Sequence, residues 1–145
     1  MIQPKDFKKI LVAVDDSELG QLALGNAIHQ AKEDDAQLLI VSIFESEQLN
    51  VFDYLSKEKN KAAHEDVESA LQRYRQTALD QGVTNVEIYF GEGEPGEVIV
   101  KDVVPAVKPD LIVLGSHSQQ GIGKYFGSQS RYVVNNAPVS VMVVR

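Results

Sequence analysis

Five short apolar runs, each closed by a polar or glycine-bearing turn and separated by stretches of helical period, leave this chain few folds to choose from. Ile10-Leu11-Val12-Ala13-Val14, Leu38-Leu39-Ile40-Val41-Ser42-Ile43-Phe44, Asp110-Leu111-Ile112-Val113-Leu114 and Val139-Ser140-Val141-Met142-Val143-Val144 are too continuous for strands with one wet face, and a shorter strand spans about 86–90. They suit strands covered on both sides, as in a parallel sheet. Between them, Leu19, Leu22, Ala23, Ala27, Ile28 and Ala31 recur at helical spacing behind Ser17, a good N-cap. A second helical pattern runs through Ala63, Val67, Ala70, Leu71, Tyr74 and Ala78 to a stop at Gly82. A third opens at Pro95 with Val98, Ile99, Val103 and Val107, and a short one covers about 128–135. Strands alternating with helices in this way imply right-handed crossovers and an α/β doubly wound sheet with helices on both faces.

At 145 residues the length suits one domain. A net charge of −7 argues against a general nucleic-acid binder, which needs clustered positive charge. The absence of cysteine excludes disulfides, thiolate catalysis and cysteine metal sites. No apolar run approaches the ~20 residues of a membrane span, and the first residues lack a signal-peptide core. A cytoplasmic location is the expectation.

In doubly wound folds ligands bind beyond the carboxyl ends of the strands, where the strand order reverses. The candidate segments are therefore 15–17, 45–55, 91–96 and 115–128. Gly91-Glu92-Gly93-Glu94-Pro95-Gly96 fits G-x-G-x-x-G, but two glutamates would face the phosphates and the motif follows the third strand. It reads as a tight turn before an acidic first helical turn. Gly123-Lys124 lacks the other residues of a Walker loop. Asp15-Asp16 resembles a phosphoacceptor pair, but the partner residues such chemistry needs at the ends of strands three and five are missing. Capping by Asp16 or Ser17 suits it better, with Asp15 left to accept hydrogen bonds from a ligand. His117 lacks a nucleophile elbow around it, and His29 and His64 lie off the apolar stripes of their helices. No catalytic or metal-binding residue is assigned. A small phosphohydrolase or phosphotransfer domain using Asp15, Asp16 and His117 is the enzyme alternative.

Gly115-Ser116-His117-Ser118-Gln119-Gln120-Gly121-Ile122-Gly123-Lys124-Tyr125-Phe126-Gly127-Ser128 is the most informative stretch. It sets four glycines and several hydroxyls between a buried strand and a helix start, with Lys124 and Arg131 to offset negative charge. Glycines let main-chain amides approach phosphate oxygens, and a helix N-terminus favours anions. A plain connecting loop is the competing reading.

Four segments resemble the universal stress protein family: Ile10 to Glu18, Gly93-Glu94-Pro95-Gly96-Glu97-Val98-Ile99, Leu111 to His117, and Ala137-Pro138-Val139 to Val144. The resemblance covers essentially the whole chain in order. It implies a five-stranded parallel sheet of order 3-2-1-4-5 and a homodimer formed through the strand from Val139 to Val144. It also implies ATP, with or without magnesium, between the ends of strands one and four. Nucleotide-binding members carry G-x-x-G-(nine residues)-G-[ST] after strand four. Here Gly115 and Gly127-Ser128 match, Ser118 replaces the second glycine, and eight residues rather than nine precede Gly127. The resemblance places Ala13, Val14 and Asp15 at the adenosine end and the main chain of Val41 against adenine. Leu114, Gly115 and Ser118 flank the phosphates, which Gly127, Ser128 and the amide of Gln129 bind. The implied role is nucleotide-dependent sensing with slow turnover at most. Another branch of the family holds no nucleotide and acts through protein contacts.

Overall fold

The computed structural model describes residues 2–45, 57–116 and 127–145. Strands β1 (Lys9–Ala13), β2 (Gln37–Phe44), β3 (Val86–Glu92), β4 (Leu111–Gly115) and β5 (Ser140–Val144) form one sheet in the order β3-β2-β1-β4-β5, all neighbours parallel. The order reverses between β1 and β4, so the ends of these two strands open a crevice.

Helix α1 (Glu18–Asp34) begins where the sequence places it, because Ser17 Oγ accepts from the Gly20 amide at 3.0 Å. Helix α2 (Lys57–Asp80) ends before Gly82, whose φ of +106° suits glycine. Both helices bury small and aliphatic residues against one face, where Ile10, Val12, Ala27, Ile40, Leu71 and Val113 meet. On the other face Leu11, Val41, Ile99, Val103, Ile112 and Val133 form a second core. The two-sided burial explains the continuous apolar runs.

The segment opening at Pro95 is one helical stretch in three parts: α3 (Pro95–Glu97), a π-helical stretch Val98–Val103, and α4 (Val104–Val107). The regular helix expected there is widened ahead of Pro105, which has no N–H and whose ring crowds the preceding turn. The Val104 amide reaches back to the Ile99 carbonyl, one residue further than in an α-helix. Helix α5 (Ser128–Asn136) follows β4 and leads into β5 at the sheet edge.

Two strand boundaries differ from the sequence reading in a way that matters. Gly91 belongs to β3, which pairs with β2 as far as Phe44↔Glu92. A Cβ on Gly91 would stand 2.9 Å from Val98 Cγ1, so this glycine serves packing and not a turn. The turn is carried by Gly93, at φ +130°. Strand β4 starts at Leu111, and Asp110 instead accepts from the Lys8 and Lys9 amides, each at 2.9 Å, pinning the start of β1.

Candidate functional site

At the carboxyl ends of β1 and β4 a cleft of about 640 Å³, open to solvent, lies between the two helical layers. Seven of the ten residues singled out from the sequence line it: Ala13, Val14, Asp15, Val41, Leu114, Gly115 and Gln129. Gly127 and Ser128 stand next to it at the start of α5. Ser118 and His117 lie outside the described residues, as does Lys124, while Arg131 is exposed on α5.

The β1–α1 turn is held by a compact set of bonds. Asp15 Oδ1 accepts from the Ser17 amide at 3.0 Å and from the Ser17 hydroxyl. Asp15 is therefore tied into the helix cap through this oxygen while also lining the cleft. The Val14 amide donates to the Val41 carbonyl at 2.9 Å, and the buried Ser42 hydroxyl donates to the Val14 carbonyl at 2.7 Å. The Val41 carbonyl is thereby committed to the sheet.

Asp16 turns the other way. Its Oδ1 accepts from the Tyr74 hydroxyl of α2 and lies 3.5 Å from an Arg73 guanidinium nitrogen. Burial, then the hydrogen bond to Asp16, pushes the Tyr74 phenol well above its ordinary pKa. Asp16 thus fastens α2 to the β1 turn.

Gly115 has a packing reason as well as any ligand reason. A Cβ there would stand 3.0 Å from the Leu19 carbonyl oxygen, so only glycine lets the end of β4 seat against the first turn of α1. The first turn of α5 is anchored three times, each at 2.7 Å. The Gly127 amide donates to the Ser116 carbonyl, the Ser130 hydroxyl to the Gly115 carbonyl, and the Gly96 amide to Gln129 Oε1. The first of these spends the Gly127 amide within the chain. No side chain caps α5, whose following amides, from Ser128 on, mark the positive end of its dipole.

Glu45 and Pro95, from the candidate segments 45–55 and 91–96, also line the cleft, whereas sequence reasoning missed Gly20, Ile43, Ile99, Ser130 and Val133. Ile43 could have been found from the position of β2 beside β1. The buried Ser130 carried a weaker signal, a hydroxyl in the third position of a helix. Among the histidines, His29 is exposed, and His64 packs edge-on against Phe44, ring centroids 4.4 Å apart, with Nε2 3.6 Å from Glu92. Among the described residues no group of three or more histidine or acidic side chains could hold a metal ion.

The model of the universal stress protein family matches residues 6–145. The chain belongs to that family. A Staphylococcus epidermidis protein named for the same family is 35% identical over 143 residues, covering 96% of this chain and 84% of its own. Among solved structures, the universal stress protein of Lactobacillus plantarum superposes with a TM-score of 0.86 at 26% identity, covering 98% of this chain and all of that one. Two more distant family members share the fold at 21% identity. One is a universal stress protein in complex with cAMP, with a TM-score of 0.73 over 97% of this chain and 98% of that one. The other is from Archaeoglobus fulgidus in complex with dAMP, at 0.69 over 97% of this chain and all of that one.

Proposed function

We propose that this universal stress protein binds an adenine nucleotide, ATP first among them, in the cleft between β1 and β4. In this reading it acts as a dimeric sensor or regulatory module. The observation that carries the reading is convergence. Residues from four segments far apart in the chain, ending in Ala13, Val14 and Asp15, Val41, Leu114 and Gly115, and Gln129, line one cleft at the topological switch point. The complexes of two same-fold relatives with cAMP and dAMP support the ligand class.

The cleft is apolar toward β2, where Val41 and Ile43 offer a wall for a base, and polar toward Asp15. In this reading the Asp15 carboxylate would meet the ribose. The triphosphate would run along Gly115 toward Ser128 and Gln129, where the dipole of α5 favours negative charge. Magnesium enters this reading as a counter-ion carried by the phosphates. The role in this reading is binding, with turnover slow at most.

The dimer rests on β5. It closes the sheet as an edge strand, and Val141, Met142, Val143 and Val144 all remain partly exposed. Such an edge invites a second copy to pair with it. No helix among the described residues is long and apolar enough to cross a membrane.

One observation favours the alternative in which the cleft holds nothing and the protein works through protein contacts. Asp15 Oδ1 and the Gly127 amide are already satisfied within the chain. Protein purified without added nucleotide, denatured, and analysed for released small molecules separates the readings when combined with calorimetric titration of ATP. Released adenine nucleotide or saturable ATP binding supports the sensor. Absence of both supports the contact-only alternative. Rapid loss of added ATP would replace both with an enzyme.

A further inference from the structure

We propose that the side-chain carboxamide of Gln129, beyond its main-chain amide, is a phosphate-binding group of this site, an inference that rests on the nucleotide reading above. The Gly96 main-chain nitrogen can only donate, so the carboxamide atom 2.7 Å from it is the oxygen. That single bond fixes the flip of the amide. Both N–H donors then sit on the other edge of the carboxamide, in a residue that lines the cleft. Among the described residues no group accepts from them. Phosphate oxygens, acceptors only and negatively charged, are the ligand atoms this edge suits.

The arrangement is rigid before any ligand arrives. A Cβ on Gly96 would lie 2.9 Å from Gln129 Oε1, 3.0 Å from the Gln129 carbonyl oxygen and 3.1 Å from Tyr132 Cβ. Glycine at 96 is what lets α3 close onto α5 and grip the carboxamide. One residue on, Ser130 holds the Gly115 carbonyl at 2.7 Å. A donor held this way loses little conformational freedom when it binds. The carboxamide therefore acts twice: its oxygen closes the α3–α5 contact and its nitrogen meets the anion.

Gln129→Glu separates these two acts. A glutamate oxygen still accepts from the Gly96 amide, while the other replaces two donors with negative charge. Thermal unfolding and calorimetric titration with ATP and with adenosine are to be run on wild type, Gln129→Glu and Gln129→Leu. The expected result for Gln129→Glu is an unchanged melting temperature, unchanged adenosine affinity, and ATP affinity lower by roughly ten- to hundred-fold. Gln129→Leu, which loses both bonds, should also melt lower. Gln129→Glu binding ATP as tightly as wild type overturns this inference and leaves the nucleotide reading standing. Equal losses for ATP and adenosine overturn it too, since the effect would not be at the phosphates. Wild-type protein that takes neither ligand overturns the nucleotide reading and this inference together.

Discussion

Gly20 sits so close beneath Asp15 that a Cβ on it would stand 2.8 Å from the Asp15 carbonyl oxygen and closer still to the carboxylate. The glycine is the third residue of α1, and its amide donates to Ser17 Oγ, whose own hydroxyl donates to Asp15. Cap, turn and carboxylate are thus one unit, and the unit has room for no side chain at position 20. Gly20→Ala should push the Asp15 carboxylate out of place. Overpacking of this kind costs about 1–3 kcal/mol, offset in part by the ~0.5–1 kcal/mol that alanine contributes to a helix over glycine. Urea unfolding should show a net loss, and ATP titration an affinity lower by about ten-fold or more, the size of one charge-assisted hydrogen bond. A variant as stable as wild type with full affinity would separate Asp15 from the ligand.

Gly127 is the N-cap of α5 with no side chain to serve as one, although its φ of −66° and ψ of 152° are open to any residue. Gly127→Asp should supply the missing cap and a favourable charge at the helix start, stabilising the fold by about 0.3–1 kcal/mol. The same carboxylate would stand where the phosphates approach, so ATP affinity should fall while the melting temperature rises. Opposite signs in the two measurements are the diagnostic. Tighter ATP binding alongside higher stability would move the phosphates away from α5.

The Tyr74 phenol keeps its proton in the folded chain to a pH above its unfolded value of 10.0, because it is buried and bonded to Asp16. Raising a folded-state pKa means the unfolded chain ionises first. The stability from this bond is complete below pH 10 and is lost as pH climbs past it, by up to ~1.4 kcal/mol per pH unit. Tyr74→Phe should flatten that alkaline loss. It should also cost about 0.5–1.5 kcal/mol near neutrality, since Asp16 is half-exposed and water replaces the hydroxyl. Unfolding free energies measured between pH 8 and 11 on both proteins test the slope. Parallel curves would mean that Tyr74 ionises alike in both states.

Much of this molecule is legible in its residues, and the places where it is not have common causes. The five strands follow from apolar runs that a two-sided cover explains, their order only from the family resemblance, and Ser17 marks the start of α1 by its capping chemistry. Glycines mislead because one residue type serves several ends. Gly91 reads as a turn but makes room for Val98, and Gly115 reads as a phosphate cradle but first makes room for α1. The π-helical stretch hides behind a helical period that Val98, Ile99 and Val103 keep, and only Pro105 hints at it. In the cleft, the identities of Asp15 and Gln129 were visible but their internal partners were not. Those bonds, to Ser17 and to Gly96, depend on side-chain geometry that no spacing encodes.

The edge strand makes its own prediction through alternation. Along a strand the N–H and C=O of one residue point to the same side, and successive residues point to opposite sides. The Val144 carbonyl accepts from the Ser116 amide at 2.9 Å, so Val144 and Met142 face β4, while Val143 and Val141 turn their amides outward. Val143→Pro removes an outward donor and leaves the β4–β5 ladder whole, as prolines on edge strands do. In a dimer built through β5 that donor lies in the contact, and the proline ring blocks the approach of a second strand. Sedimentation should show wild type as a dimer and Val143→Pro as a folded monomer, with circular dichroism unchanged. Met142→Pro is the control, because it breaks the inner ladder and should lower stability directly. A Val143→Pro protein that sediments as wild type would place the dimer contact on another surface.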